Sequence, residues 1–231
     1  MGRYLNLFFD LDRTLWDFEA NSRAALHDLY LNCPPIAEKA DFETFCGNFH
    51  TRTEKLWALL KKGYIGKHEL RRQRFIQTLS SLGIRDHELA EELNQAYMES
   101  CPQKTALVEG SLDLLEYLRR KSYVLSILSN GFTATQEQKL INCGLDSCFQ
   151  QVITSETAGY IKPDPEFFSY VCALLQADKS DCLMIGDDWT TDIVGARNAG
   201  IDQVWFNPKQ APLPGPVTFE IQHLGELKEI L

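Results

Sequence analysis

The alternation of strand-like and helical segments is the feature that most constrains the fold of this chain. From about residue 107 onward, short apolar runs alternate with amphipathic stretches, and glycines such as Gly144 and Gly200 follow two of the amphipathic stretches. Helices are predicted at 111–121, 133–143, 165–175 and 191–198, and strands at 123–128, 151–154, 182–185 and 203–206, the last strand of the chain. Strands that are joined through helices predict a mostly parallel sheet covered by helices, and hence an α/β protein.

Residues 18–104 interrupt this alternation, because they show helical periodicity and no strand-like pattern. Helices are predicted at 42–60, 68–82 and 86–97, whereas a further strand precedes the interruption at residues 5–9. The chain is therefore expected to have a discontinuous core domain, 1–17 with 105–231, and an inserted all-helical domain, 18–104. An insertion of this kind is typical of a cap over the active edge of a sheet.

Charge and hydropathy narrow the classes of partner. The 231 residues carry a net charge of −9, and the basic residues are spread along the chain, which argues against a nucleic acid as partner. No apolar run approaches the length that spans a membrane, so no membrane partner is expected. Because strand-like sequence begins at residue 5, no signal peptide is expected either.

Cysteine and histidine usage favours a cytoplasmic protein without a zinc site. The seven cysteines form an odd set with no C-x-x-C pair, and most lie in apolar segments, as reduced thiols do. The five histidines are isolated from one another and from cysteines at ligand spacing, which argues against zinc.

Two carboxylates follow the first predicted strand. Leu7, Phe8 and Phe9 form an apolar run that ends in Asp10 and Asp12, and residues two apart in an extended chain point the same way. Parallel sheets bind ligands at the carboxyl ends of their strands, and two close carboxylates stay ionised together only beside a cation or hydrogen-bond donors. An Asp-rich turn explains the pair equally well, so the pair alone does not decide between a turn and a site.

Polar residues also follow later strands. Ser129, Asn130 and Gly131 come after the strand at 123–128 and suit an oxyanion or phosphate cradle, although a helix cap explains them too. Lys162 is held extended by Pro163 ahead of a predicted helix, and the alternative for it is a solvated lysine.

Three carboxylates surround the turn after the strand at 182–185. Asp187, Asp188 and Asp192 lie within six residues, and a helix cap accounts for one of them rather than for all three. Carboxylate oxygens are the ligands that Mg²⁺ prefers. The strand ends therefore combine candidate Mg²⁺ ligands with candidate phosphate donors, Ser129 and Lys162.

In order and spacing these residues resemble the motifs of the haloacid dehalogenase superfamily. Asp10-x-Asp12-x-Thr14 is similar to its first motif, Ser129 to its second, Lys162 to its third and Gly186-Asp187-x4-Asp192 to its fourth. The resemblance covers nearly the whole chain. It implies a Rossmann-like, mostly parallel sheet with helices on both faces, and a small helical cap.

The resemblance also implies a mechanism for a small phosphorylated metabolite. Asp10 would be the nucleophile that forms an aspartyl-phosphate, and Asp12 the acid and base. The implied Mg²⁺ ligands are Asp10, the backbone carbonyl of Asp12, and Asp187, with Asp192 and Asp188 around them. The implied phosphate-binding residues are Ser129, Asn130 and Lys162.

Position 12 discriminates within the superfamily, because phosphatases need a carboxylate there and the dehalogenases lack it. Arg13 departs from the usual small or neutral residue, and it either adds positive charge near the phosphate or points to solvent. The sequence leaves open whether Asp187 or Asp188 binds the metal.

Two further stretches resemble the branch of bacterial pyrimidine 5′-nucleotidases, namely Asn130-Gly131-Phe132-Thr133 and Val204-Trp205-Phe206-Asn207. Aromatic and basic residues of the helical insertion, among them Arg74 and Phe75, suit a nucleotide, but they also suit helix packing. The leading hypothesis is a Mg²⁺-dependent nucleoside 5′-monophosphatase. The alternatives are a sugar phosphate or phosphoglycolate phosphatase, a phosphomutase, and a receiver-like phospho-switch, against which the insertion and Asp12 stand.

Overall fold

The structure is a computed structural model that describes residues 4–231. The chain divides into two compact units, Met1–Phe18 with Thr105–Leu231, and Glu19–Lys104. Residues 1–3, which belong to the predicted core domain and to the stretch where no signal peptide is expected, lie outside the described residues. That the second unit acts as a cap stays a prediction.

The first unit contains a six-stranded sheet in the order β3-β2-β1-β4-β5-β6. The strands are β1 (Asn6–Phe9), β2 (Val124–Ser129), β3 (Gln151–Thr154), β4 (Cys182–Gly186), β5 (Asp202–Phe206) and β6 (Phe219–Ile221). Every pairing between neighbouring strands is parallel. This confirms the predicted α/β class with a mostly parallel sheet.

The register of the sheet brings the predicted site residues to one edge. β1 lies between β2 and β4, and Phe9 is level with Ile127 and Ile185. The chain therefore leaves β1 toward β2 on one side and returns to β4 on the other, and the carboxyl ends of all three strands meet there. In open α/β sheets this reversal of strand order creates the crevice in which ligands bind.

Helices of the first unit connect the strands and cover apolar side chains of the sheet. They are α6 (Ser111–Arg120), α7 (Thr133–Asn142), α8 (Ser155–Ala158), α9 (Pro165–Leu175), α10 (Gly195–Asn198) and α11 (Leu227–Ile230). Helix α9 begins with Pro165, and the Asp164 side chain caps it by accepting from the amide of Glu166. Phe167 and Phe168 of α9 are fully buried against Phe8 and Met184 of the sheet.

The second unit is helical, as the sequence predicts. The helix α1 (Phe18–Leu31) leads into it, and α2 (Pro34–Ala37), α3 (Phe42–Lys61), α4 (Lys67–Ser81) and α5 (His87–Ser100) follow. Asp41 and Asp86 cap α3 and α5 with their side chains. No helix in the described part of the chain is long and apolar enough to span a membrane.

The aromatic and basic residues at positions 74 and 75 form part of the core of this helical unit. Phe75 is fully buried, with its ring centroid 4.9 Å from that of Phe49 and 5.9 Å from that of Tyr97. Arg74 is buried beside them, and its Nε and Nη2 donate to Asn94 Oδ1 at 3.0 and 2.9 Å. The helix-packing interpretation is therefore correct for these two residues.

The structure differs from the prediction in several elements, among them the short helices α8 and α11, which were not predicted. The strand that ends at Phe206 is not the last strand of the chain. A sixth strand, Phe219–Ile221, follows it and pairs with β5. Three residues are too few for a period-two pattern, so only the pairing reveals this strand. In place of the single helix predicted at 191–198, a π-helical turn, Trp189–Val194, precedes the short α10.

Candidate active site

Asp10 and the buried Lys162 form an ion pair at the end of β1. The amide of Asp10 donates to Ile185 O at 2.9 Å and so continues the hydrogen bonding between β1 and β4. This bond fixes the position of the Asp10 backbone. Lys162 Nζ donates to Asp10 Oδ1 at 2.9 Å, to Asp192 Oδ1 at 2.7 Å and to Leu128 O at 2.6 Å. The lysine side chain is 1% exposed, so the solvated-lysine alternative is wrong.

The charges around Lys162 keep it protonated. Burial acts to lower the pKa of its ammonium group, but the carboxylates of Asp10 and Asp192 outweigh this and raise that pKa above its usual value. All three N–H groups have protein acceptors in this arrangement. Lys162 therefore places a fixed positive charge beside Asp10.

Three carboxylates converge at this edge of the sheet. Asp10, Asp187 and Asp192 form an acidic cluster, in which each residue offers an oxygen within 4.8 Å of the others. Burial, together with the charge of Asp192, raises the pKa of Asp187 to about 7, against which Arg13 acts. Burial likewise raises the pKa values of Asp10 and Asp192, although Lys162 opposes both shifts. Negative charge thus exceeds positive charge at this point.

The two neighbouring aspartates after β4 have different surroundings. Thr14 Oγ1 donates to Asp187 Oδ1 at 3.4 Å, and Trp205 Nε1 donates to Asp187 O at 2.9 Å. Asp188 Oδ1 instead accepts from the amides of Thr190 and Thr191, both at 2.9 Å, and so caps the π-helical turn. The structure therefore groups Asp187, rather than Asp188, with the acidic cluster.

Ser129 and Asn130 have distinct partners after β2. Ser129 Oγ accepts from the amide of Gly131 at 3.0 Å and from Gln136 Nε2 at 2.6 Å, so its hydroxyl hydrogen is available to a further acceptor. Asn130 Nδ2 donates to Lys162 O, and Asn130 Oδ1 accepts from the amide of Lys162, both at 2.9 Å. The Asn130 side chain therefore holds the main chain of Lys162, and its contact with a phosphate stays a prediction.

The segment after Asp10 closes as a turn that orients Asp12 and Arg13. The amides of Leu15 and Trp16 donate to Leu11 O at 3.0 and 2.9 Å, and the amide of Arg13 donates to Trp16 O at 2.8 Å. Arg13 adopts φ 68° in this turn, and its guanidinium carbon lies 4.4 Å above the Phe18 ring centroid. Arg13 therefore stacks on an aromatic ring while its charge opposes the rise in the pKa of Asp187 that burial and Asp192 cause.

Most of the sequence matches the model of a known family. The sequence model of the haloacid dehalogenase-like hydrolases matches residues 5–200. The chain belongs to this family.

Relatives over the whole chain agree with this assignment. Pyrimidine 5′-nucleotidase PynA of Streptococcus pneumoniae is 36% identical over 89% of this chain and 84% of its own length. Pyrimidine 5′-nucleotidase YjjG of Escherichia coli is 30% identical over 97% and 96%. The crystal structure of the HAD-hydrolase YfnB of Bacillus subtilis, bound to magnesium, has a TM-score of 0.89 with 31% identity over 99% of both chains.

These matches confirm the resemblance to the haloacid dehalogenase-like hydrolases and to their pyrimidine 5′-nucleotidase members. The chain is an enzyme, a hydrolase of this family. Its site residues also suit a divalent cation, because Asp10, Asp187 and Asp192 bring three hard oxygen ligands together, while Lys162 pairs with Asp10 and Asp192.

Two residues of this hydrolase site, Gln136 and Lys139, were not predicted from the sequence. Gln136 Nε2 donates to Asp12 Oδ2 at 2.8 Å, and Lys139 Nζ donates to Asp12 Oδ1 at 2.5 Å. They lie three apart on α7 and so share one face of the helix. Their polar groups lie on the buried face of the helix, and only the contact with Asp12 distinguishes them from solvated helical residues.

Proposed function

We propose that this hydrolase is a Mg²⁺-dependent phosphatase that cleaves nucleoside 5′-monophosphates through an aspartyl-phosphate on Asp10. One observation carries the proposal: the Asp10 carboxylate, 13% exposed at the end of β1, lies against the ammonium of Lys162 and beside two further carboxylates, with Asp12 two residues later. This set combines a nucleophile, a proton carrier and a cation site at one sheet edge.

In the first step Asp10 attacks phosphorus, the new Asp10–phosphorus bond forms and the ester oxygen–phosphorus bond breaks. The leaving oxygen takes a proton from Asp12 and departs as an alcohol. In the second step water attacks phosphorus and gives a proton to Asp12, while the bond to Asp10 breaks. Inorganic phosphate leaves, and both carboxyl groups return to their starting states.

Other residues of the chain act on the phosphoryl oxygens and on the nucleophile. The Ser129 hydroxyl has its hydrogen available for a phosphoryl oxygen, since both of its lone pairs accept from the protein. The positive charge of Lys162 lies 2.9 Å from Asp10 and reduces repulsion between this carboxylate and an anionic phosphate. Asn130 orients Lys162 through two main-chain hydrogen bonds.

A bound Mg²⁺ would be held by Asp10, Asp187 and Asp192, with the backbone carbonyl of Asp12 as the further predicted ligand. When bound, the ion supplies positive charge that offsets the repulsion between the Asp10 carboxylate and the phosphate. The nucleotide specificity is supported by the nucleotidase relatives, and a role of the helical unit in choosing the substrate stays a prediction. A cytoplasmic location likewise stays a prediction.

Replacement of the nucleophile tests the chemistry. We expect Asp10→Asn to lose phosphate release by about 1,000-fold or more, because an amide does not form the covalent intermediate. The matched control is Asp146→Asn, an exposed aspartate of the same unit, which should keep wild-type activity. Circular dichroism verifies that both variants fold. Full activity of a folded Asp10→Asn protein would refute the mechanism.

A substrate panel tests the specificity. Pyrimidine and purine nucleoside monophosphates, hexose phosphates and phosphoglycolate are compared by kcat/KM for phosphate release with Mg²⁺. We expect the nucleoside monophosphates to rank first. A higher rank for sugar phosphates would refute the nucleotide assignment, phosphate transfer to a sugar would indicate a mutase, and a phospho-enzyme that persists for hours would indicate a switch.

A further inference from the structure

We propose that Lys139 and Gln136 are positioning residues that aim the Asp12 carboxylate for proton transfer. This inference rests on the proposed function, in which Asp12 protonates the leaving oxygen. Neither residue needs to touch the substrate, because each acts through Asp12.

The first support is that the two residues hold opposite oxygens of one carboxylate. Lys139 Nζ donates to Oδ1 at 2.5 Å, and Gln136 Nε2 donates to Oδ2 at 2.8 Å. One donor would leave the carboxylate free to rotate about its Cβ–Cγ bond, whereas donors on both oxygens fix its plane. Proton transfer depends on the orientation of the Asp12 carboxylate, since the proton donor and acceptor must lie within hydrogen-bond reach.

The second support is the environment of Lys139. Its side chain is 5% exposed, and a buried ammonium group is costly unless it is paired. Its Nζ lies 4.1 Å from the Trp16 ring centroid, a cation–π distance, and Trp16 is fully buried. The main chain of Trp16 bridges to that of Asp12. Both neighbours of the ammonium group therefore belong to the turn that carries Asp12.

The third support is that Gln136 joins Asp12 to the proposed phosphate site. Its Nε2 also donates to Ser129 Oγ at 2.6 Å, so one amide nitrogen fixes the proton carrier and the hydroxyl together. Gly131 makes room for this contact, because a Cβ at position 131 would lie 2.7 Å from Gln136 Nε2. The side chain of Gln136 is thus confined between the two groups that it orients.

The experiment compares two esters that differ in their need for a proton. The p-nitrophenolate of p-nitrophenyl phosphate leaves readily without one, whereas the phenolate of phenyl phosphate needs it more. We expect Lys139→Met and Gln136→Met to lower kcat/KM for phenyl phosphate about ten-fold more than for p-nitrophenyl phosphate, with KM changed less than about three-fold. Gly131→Ala, which displaces Gln136 without removing it, should show the same pattern.

Two controls separate positioning from general damage. Gln138→Met makes the same chemical change on the exposed face of α7 and should leave the ratio between the esters at its wild-type value. Lys139→Arg keeps a cationic hydrogen-bond donor and should recover part of the lost ratio. An equal loss on both esters in the Lys139→Met and Gln136→Met variants would overturn the proposal.

A thermal double-mutant cycle tests the contact without any activity. We expect the Tm shifts of Asp12→Asn and Lys139→Met to be non-additive when the two substitutions are combined, because each removes the same ion pair. Additive shifts would overturn the positioning of Asp12 by Lys139 whatever the activity. A wild-type protein that releases phosphate from neither ester and from no nucleoside monophosphate would instead refute the proposed function.

Discussion

Gly186 shows how a single residue determines the geometry of the acidic cluster. A Cβ at this position would lie 2.3 Å from Asp192 Oδ2 and 2.7 Å from Asp192 Cβ. Asp192 cannot easily move away, because Oδ1 accepts from Lys162 Nζ and Oδ2 accepts from the amide of Asp188 at 3.2 Å. The glycine is therefore required by close packing.

We expect Gly186→Ala to weaken Mg²⁺ binding about ten-fold and to lower the free energy of unfolding by about 1–3 kcal/mol, as overpacking does. Calorimetric Mg²⁺ titration and urea unfolding measure the two effects. Gly225→Ala is the matched control, because no atom lies within 4 Å of its added Cβ. Equal Mg²⁺ affinities for the wild type and Gly186→Ala would show that the Asp192 position is not critical.

At the scale of an element, the π-helical turn Trp189–Val194 assigns different tasks to two adjacent aspartates. Asp187 belongs to the acidic cluster, whereas Asp188 caps the turn through Thr190 and Thr191. We expect Asp187→Asn to weaken Mg²⁺ binding at least ten times more than Asp188→Asn, because an asparagine at 188 keeps the capping oxygen. Asp188→Ala should in turn lower the free energy of unfolding by about 1 kcal/mol.

Isothermal titration of Mg²⁺ into both asparagine variants, with urea unfolding of all three, measures these effects. If Asp188→Asn weakened Mg²⁺ binding as strongly as Asp187→Asn, the capping role would not be the main role of Asp188. The comparison is matched because both variants remove one negative charge from neighbouring positions.

Much of this architecture was predictable because strand ends carry local signals. Asp10, Ser129 and Asp187 directly follow or end apolar strands, and a parallel sheet must bring such ends together. The contact of Lys139 with Asp12 spans 127 positions, and a helical lysine is solvated by default, so no local pattern reveals it. The strand Phe219–Ile221 escaped prediction because it is defined only by its pairing with β5.

At the scale of the whole molecule, the acidic cluster links folding stability to pH and to metal. The pKa of Asp187 rises from 3.8 to about 7 on folding, so between these values the folded state binds a proton that the unfolded state lacks. The contribution of Asp187 to the free energy of unfolding is fully present below pH 3.8 and is lost as the pH rises through about 7. The metal-free protein should therefore become less stable between pH 5.5 and pH 8 through this group.

We expect Mg²⁺ to reverse this trend, because it binds the ionised cluster of the folded state only. The rise in Tm at a fixed excess of Mg²⁺ should be larger at pH 8 than at pH 5.5, since protons compete with the metal at the lower pH. Differential scanning calorimetry with and without Mg²⁺ measures this, and Asp187→Asn, which has no titrating group at that position, should show a smaller difference. A Tm rise that is independent of pH in the wild type would mean that Mg²⁺ does not compete with protons at this cluster, and the carboxylates would then not be its ligands.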